Sequence, residues 1–186
     1  DNKVIGDIHL LRLILYKTAF TKEQLTNESL AWRVDPAIAG GGIFHDLAPH
    51  QLDILYHIFG PAKQINGIAL NQAGNYKADD MVAGNILFEN DIMFSGAWCF
   101  NAYEQSDHCE ITGSKGKISF SFFGGGGIRV FLNNQETVYD FDALQHVQQP
   151  MIEKTVQYFL GNASNPCPAE AGVEVMRWIE SFATAK

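Results

Sequence analysis

Asp46, His50, Asp53 and His57 recur at i, i+4, i+7 and i+11 within one segment. In a helix those positions share a face. An imidazole with an ordinary pKa near ~6.5 accepts a proton at neutral pH. A carboxylate one turn away can orient that ring and favour its protonated form as the proton arrives. The spacing therefore suits a general base with a supporting acid. It equally suits a metal site, because His and Asp one turn apart can share a divalent ion. A solvated, salt-bridged helix face gives the same spacing, although such a face more often carries Lys and Glu than two Asp and, counting His45, three His. Pro49 stands just before His50, where it removes a backbone donor and kinks or restarts a helix.

Trp32 and Arg33 precede a run of three glycines, Gly40 to Gly42. A guanidinium suits a carboxylate or phosphate, and an indole offers a flat wall to a sugar or nicotinamide ring. A Trp packed on the domain edge beside a surface Arg fits the same residues. The glycine run lets backbone approach a ligand or another chain segment closely. It is not a dinucleotide fingerprint: GxGxxG laid on Gly40 needs glycine where His45 stands, and laid on Gly124 needs it where Arg129 stands. Gly124 to Gly127 reads as a flexible hairpin or loop among strands. Phe94, Trp98 and Phe100 read as packing residues. Cys99, Cys109 and Cys167 form neither a CxxC pair nor an even disulfide framework, so free thiols in a reducing, cytoplasmic compartment are the simplest reading.

The elements that must position these groups follow from periodicity. Residues 4–16 alternate with apolar side chains on both faces, Ile8, Leu10 and Ile14 one way and Leu11, Leu13 and Leu15 the other, which predicts a strand covered on both sides. A short helix is expected near 22–28, a polar-aromatic loop over 31–36, and a long helix over 43–59 whose apolar side runs through Phe44, Leu47, Gln51/Leu52, Leu55 and Phe59. Strands are predicted over 63–73, 80–89, 91–101, 106–113, 116–123, 127–133 and 136–141, divided by turn signals such as Asn133-Asn134. Their short connections imply antiparallel hairpins. Helices return over 149–161 and 168–184, the second with Val173, Met176, Ile179 and Phe182 facing inward. The expected fold is α+β: one large, mostly antiparallel sheet with helices on one face. The other face would pack against a second copy as a homodimer.

The chain has 186 residues, which fits a single domain. Its 13 Lys and Arg against 21 Asp and Glu leave a net charge of −8, which argues against nucleic acid or an anionic membrane as partner. No apolar run approaches the ~18 residues of a membrane span. Charged residues are only 18% of the chain, which suggests that some surface is covered by another copy or a partner domain. Asp1-Asn2-Lys3 reads as a cut inside a longer protein.

The stretch Trp32-Arg33-Val34-Asp35, followed by Gly40-Gly41-Gly42-Ile43-Phe44-His45-Asp46-Leu47-Ala48-Pro49-His50-Gln51-Leu52-Asp53, resembles the second domain of the glucose–fructose oxidoreductase / inositol dehydrogenase / MocA (Gfo/Idh/MocA) family. Those proteins carry W-R and then GGG-x-x-x-D-x-G-x-H-x-x-D. Val4-Ile5-Gly6-Asp7-Ile8, Glu110 to Gly116, Gln149 to Ile152 and Pro166 to Ala171 also resemble family segments in the same order. The resemblance implies that His50 is the catalytic base taking a substrate hydroxyl proton and that Asp46 assists it. It implies that Arg33 and Asp35 line the substrate or cofactor mouth, with Trp32, His45 and Asp53 completing the substrate-binding set. Ala48, where the family prefers Gly, touches only local helix packing.

The family's doubly wound domain with GxGxxG, and its Glu-Lys-Pro segment, are not among these residues. The resemblance therefore implies a substrate-binding and dimerising domain for a sugar, polyol or sugar derivative. NAD or NADP would be bound mainly by an N-terminal nucleotide-binding domain of the parent protein, and this chain alone would have no turnover. Two other readings stay open: a non-catalytic scaffold domain of the same fold, and a metal-dependent hydrolase using His50, Asp53 and His57.

Overall fold

The computed structural model describes residues 3–183. Asp1 and Asn2, where the internal cut was expected, and residue 184 of the closing helix lie outside the described residues. Strand β1 (Ile8–Thr18) starts later than the alternation suggests. Lys3 to Gly6 close a turn instead, in which the Gly6 N–H donates to the Lys3 carbonyl at 2.8 Å and Gly6 takes a φ of 78°.

Short helices α1 (Lys22–Thr26), α2 (Glu28–Ala31) and α3 (Pro36–Ala39) lead to α4 (Ile43–Phe59). The expected loop around Trp32 is a 3-10 turn, Trp32–Val34. Helix α4 runs unbroken through Pro49 and buries Phe44, Gln51, Leu52, Leu55 and Phe59, the side its periodicity selects. Seven strands follow: β2 (Ala62–Leu70), β3 (Met81–Phe88), β4 (Met93–Ala102), β5 (Ser106–Gly113), β6 (Gly116–Phe120), β7 (Ile128–Leu132) and β8 (Gln135–Tyr139). Asn133 and Asn134, both at positive φ, make the two-residue turn between β7 and β8. Helices α5 (Gln149–Phe159) and α6 (Ala169–Ala183) close the fold.

The eight strands form one open sheet in the order β2-β3-β4-β1-β5-β6-β7-β8. All pairs are antiparallel except β1 with β4. The short link between β4 and β5 is therefore not a hairpin, contrary to the simple expectation. Strand β1 lies between them, and its Leu11, Leu13 and Leu15 are fully buried.

Register carries the core across the sheet. Leu11, Leu13 and Leu15 stand opposite Phe94, Gly96 and Trp98 of β4, and those opposite Ile86, Gly84 and Val82 of β3. The middle row continues to Gly67 on β2. These glycines make a trough beneath α6: a Cβ on Gly84 would lie 2.3 Å from Phe182 Cδ1, and one on Gly67 2.8 Å from Phe182 Cα. Helix α6 thus rests almost on bare backbone. Its buried stripe is Val175, Trp178, Ile179 and Phe182. Val173 and Met176, expected inside, are exposed, because Trp178 claims the sheet side and turns them outward. Helix α5 buries none of its residues. On the outer sheet face Ile68, Leu70 and Met93 are exposed.

Candidate active site

His50 lies on the outward side of α4 and is exposed. Its ring meets Phe123 edge to face, with centroids 6.3 Å apart and planes at 88°. Asp46, one turn earlier, is engaged by Arg33, whose Nη1 donates to its Oδ2. The carboxylate expected to support His50 is thus held by a guanidinium arriving from the 3-10 turn. The Arg33 guanidinium carbon also sits 5.2 Å from the Trp32 ring centroid, and Trp32 Nε1 donates to the Ser29 carbonyl at 3.0 Å. Trp32, Arg33 and Asp46 form one tethered group beside His50 on α4.

Asp35 has a local task. Its Oδ1 accepts from the Ala37 N–H at 3.1 Å and so caps α3, while Oδ2 lies 3.5 Å from Lys77 Nζ. Asp53 lies one turn beyond His50, half-buried and without an ion pair among the described residues. His45 turns to another side of the helix, about 140° from His50 at 100° per residue. It lines a cavity of about 230 Å³ with Gly40 to Gly42, Lys77 and Ala78. Burial pulls its pKa below the ordinary histidine value, against the opposing fields of Asp79 and Glu180.

The three glycines are explained by chain rather than ligand. Gly40 takes the left-handed conformation that ends α3. A Cβ on Gly41 would collide with the His45 ring at 2.1 Å, and one on Gly42 with Ala78 at 2.5 Å. This run joins two helices and Gly124 to Gly127 joins two strands. Neither makes the strand-to-helix turn on which a dinucleotide pyrophosphate rests, so these residues do not fit that group. Among the described residues no three His, Cys, Asp or Glu side chains are arranged to hold a metal ion, and Asp53 and His57 complete none with His50.

A second cleft, of about 320 Å³, opens at the ends of β1, β5 and β6. Leu15, Lys17, Gln105, Asp107, Ser121 and Phe123 line it, so Phe123 borders both this cleft and His50. Leu15 pairs with Asp107 across β1 and β5. The cleft therefore opens on the face that carries the helices. Lys17, Asp107 and Phe123 were not singled out from sequence. The alternation of β1, which puts Lys17 on the side of Leu15, was the available signal for the first.

Helix α4, with its exposed imidazole, lies over an open, mostly antiparallel sheet that has a cleft at its strand ends. The sequence model described as GFO/IDH/MocA C-terminal domain matches residues 1–119, and the chain belongs to that family. It is 41% identical over 182 residues to Oxidoreductase P35 of Formosa agariphila, covering 98% of this chain and 56% of that protein. The chain thus spans about half the length of that relative.

Among solved structures, an aldose–aldose oxidoreductase from Caulobacter crescentus, complexed with glycerol, superposes with a TM-score of 0.80 at 15% identity, over 97% of this chain and 54% of that one. Levoglucosan dehydrogenase in complex with NADH and levoglucosan gives 0.77 at 20%, over 97% and 56%. The WlbA dehydrogenase of Bordetella pertussis, in complex with NADH and UDP-GlcNAcA, gives 0.72 at 17%, over 97% and 53%. At such identities the likeness is one of fold.

Proposed function

We propose that this chain is the substrate-binding domain of an NAD(P)-dependent oxidoreductase acting on a sugar, polyol or sugar derivative. The observation that carries the reading is His50, exposed on α4 and bordering, through Phe123, a cleft large enough for a small ligand. Family membership and the names of the structural relatives favour the same chemistry. In this reading an imidazole Nε2 or Nδ1 of His50 accepts the proton of the substrate hydroxyl that is oxidised. Asp46, one turn before His50, assists by joining Arg33 and so tying the 3-10 turn to the helix beside the base. Trp32, Arg33 and Asp53 border the bound molecule; Asp35 and His45 act at its margin by holding α3 and the glycine turn. The nicotinamide, bound by a separate nucleotide-binding domain of the parent protein, would supply the hydride-accepting chemistry.

The exposed apolar residues of the outer sheet face and of α5 favour partner surfaces: a second copy on the sheet, and the nucleotide-binding domain elsewhere. The free cysteines favour a reducing, cytoplasmic setting. The test is a panel of aldoses, cyclic polyols and alditols assayed with the full-length parent protein and either cofactor, read by nicotinamide absorbance. Turnover on a member of the panel is expected, falling about 10²–10⁴-fold in His50→Ala with unchanged cofactor affinity. A His50→Ala enzyme as fast as the parent would end this assignment. A full-length protein that binds a sugar without oxidising it would favour the scaffold reading.

A further inference from the structure

The loop between β6 and β7 contains four consecutive glycines and is largely exposed, yet its first turn is pinned. Asp107, on β5, accepts from the Ser121 hydroxyl at 2.8 Å and from the N–H groups of Phe122, Phe123 and Gly124 at 3.2, 2.6 and 3.1 Å. Ser121 Oγ in turn accepts from the Gly124 N–H at 2.9 Å. Hydrogen bonds to an ionised carboxylate are about twice as strong as neutral ones. Four on one side chain hold a turn that its glycines would otherwise leave loose. The pinned turn presents Phe123, which is 47% exposed and stands at right angles to the His50 ring. A half-exposed aromatic beside an exposed imidazole does little for the core, since the side chain that buries from this region is Phe120 or Phe122, not Phe123.

We propose that Phe123 is a specificity-determining wall of the His50 site, against which the C–H face of a cyclic saccharide stacks, and that Asp107 is the positioning residue that holds it there. This rests on the reading of His50 as base and deepens it. A saccharide ring has an apolar face of C–H bonds and an edge of hydroxyl groups. Stacked on Phe123, it lies nearly perpendicular to the imidazole plane and turns a hydroxyl edge toward His50. The rest of its edge reaches the polar rim of the cleft, where Lys17, Gln105 and Ser106 supply donors. An open-chain alditol has no such face and gains little from the wall. The substrate class is therefore a ring, closed in the bound state, rather than an acyclic polyol.

The experiment uses the full-length protein with its cofactor and compares a cyclic saccharide with an alditol of equal carbon number. Phe123→Ala should raise KM for the ring about tenfold while kcat falls less than about threefold, leaving KM for the alditol in place. Phe123→Tyr should restore the ring's KM. Asp107→Asn should raise the ring's KM in the same sense. It should also move the His50 ring proton resonances, free of substrate, while His9, His45, His57 and His146 keep theirs. Equal KM changes for ring and alditol in Phe123→Ala would overturn the wall. Unmoved His50 resonances and an unchanged KM in Asp107→Asn would overturn the positioning role while His50→Ala still cut turnover by about 10²–10⁴-fold. Absence of turnover in the unsubstituted protein would instead fell the reading of His50, and the wall with it.

Discussion

The glycine trough under α6 offers a quantitative test. In Gly84→Ala the new methyl carbon would be placed 2.3 Å from Cδ1 and 2.4 Å from Cε1 of Phe182, well inside van der Waals contact, and the three nearest atoms all belong to that one ring. Phe182 is fully buried, so its ring cannot swing into solvent. Overpacking of this kind costs about 1–3 kcal/mol. Replacing glycine within a strand returns about 0.5–1 kcal/mol through the unfolded chain. The net expectation is a loss of roughly 1–2 kcal/mol.

Phe182→Ala alone should cost about 3–5 kcal/mol, the usual range for a buried ring. In that background, however, the ring that opposed the methyl is gone, and Gly84→Ala should become neutral or stabilising. Urea denaturation of the four proteins gives the coupling directly, with about 2 kcal/mol expected. A single Gly84→Ala protein as stable as the parent, or a coupling within about 0.5 kcal/mol of zero, would refute the claim that α6 rests on the row of glycines.

Two further outcomes follow from buried polar groups. Trp98 Nε1 donates to Gln51 Oε1 at 2.7 Å with both side chains fully buried. Trp98→Phe should therefore destabilise by about 1–3 kcal/mol beyond the lost packing, and adding Gln51→Leu should recover part of that loss, as a shift in the urea midpoint. His45 has a folded-state pKa below its unfolded value, first because of burial. The unfolded chain binds the proton more readily, so stability is complete above about pH 6.5 and is lost as pH falls toward the folded pKa. Melting temperature should drop on acidification through that range, and His45→Gln should flatten the drop. A His45→Gln protein with the parent's acid limb would show that another group governs it.

Hairpin alternation and turn residues made most of the sheet legible in the sequence. The expected strand at 106–113 coincides with β5, and Asn133-Asn134 marks a turn that only positive φ can make. The place of β1 was not legible, because its partners lie far along the chain and no local signal names them. The inner stripe of α6 was misread for a similar reason. Val173 and Met176 fit the helical period as well as Val175 and Trp178 do, and only contact with the trough decides between them. At the site, residue types and spacing picked out His50 and Asp46 as candidates, but the tie of Asp46 to Arg33 joins two separate elements. Phe123 escaped notice because it abuts glycines, and its placement depends on Asp107 from another strand.

The parallel pairing of β1 with β4 also sets a timetable for synthesis. Leu10 meets Met93 on one side and Thr112 on the other. Strand β1 is synthesised before both of its partners and must therefore wait, with its leucines uncovered, until the polypeptide has grown past β5. Contacts so distant in sequence slow assembly. During that interval β1 is the segment most in need of a chaperone, and a nascent chain stalled before residue 106 should bind one far more strongly than a chain released after residue 113.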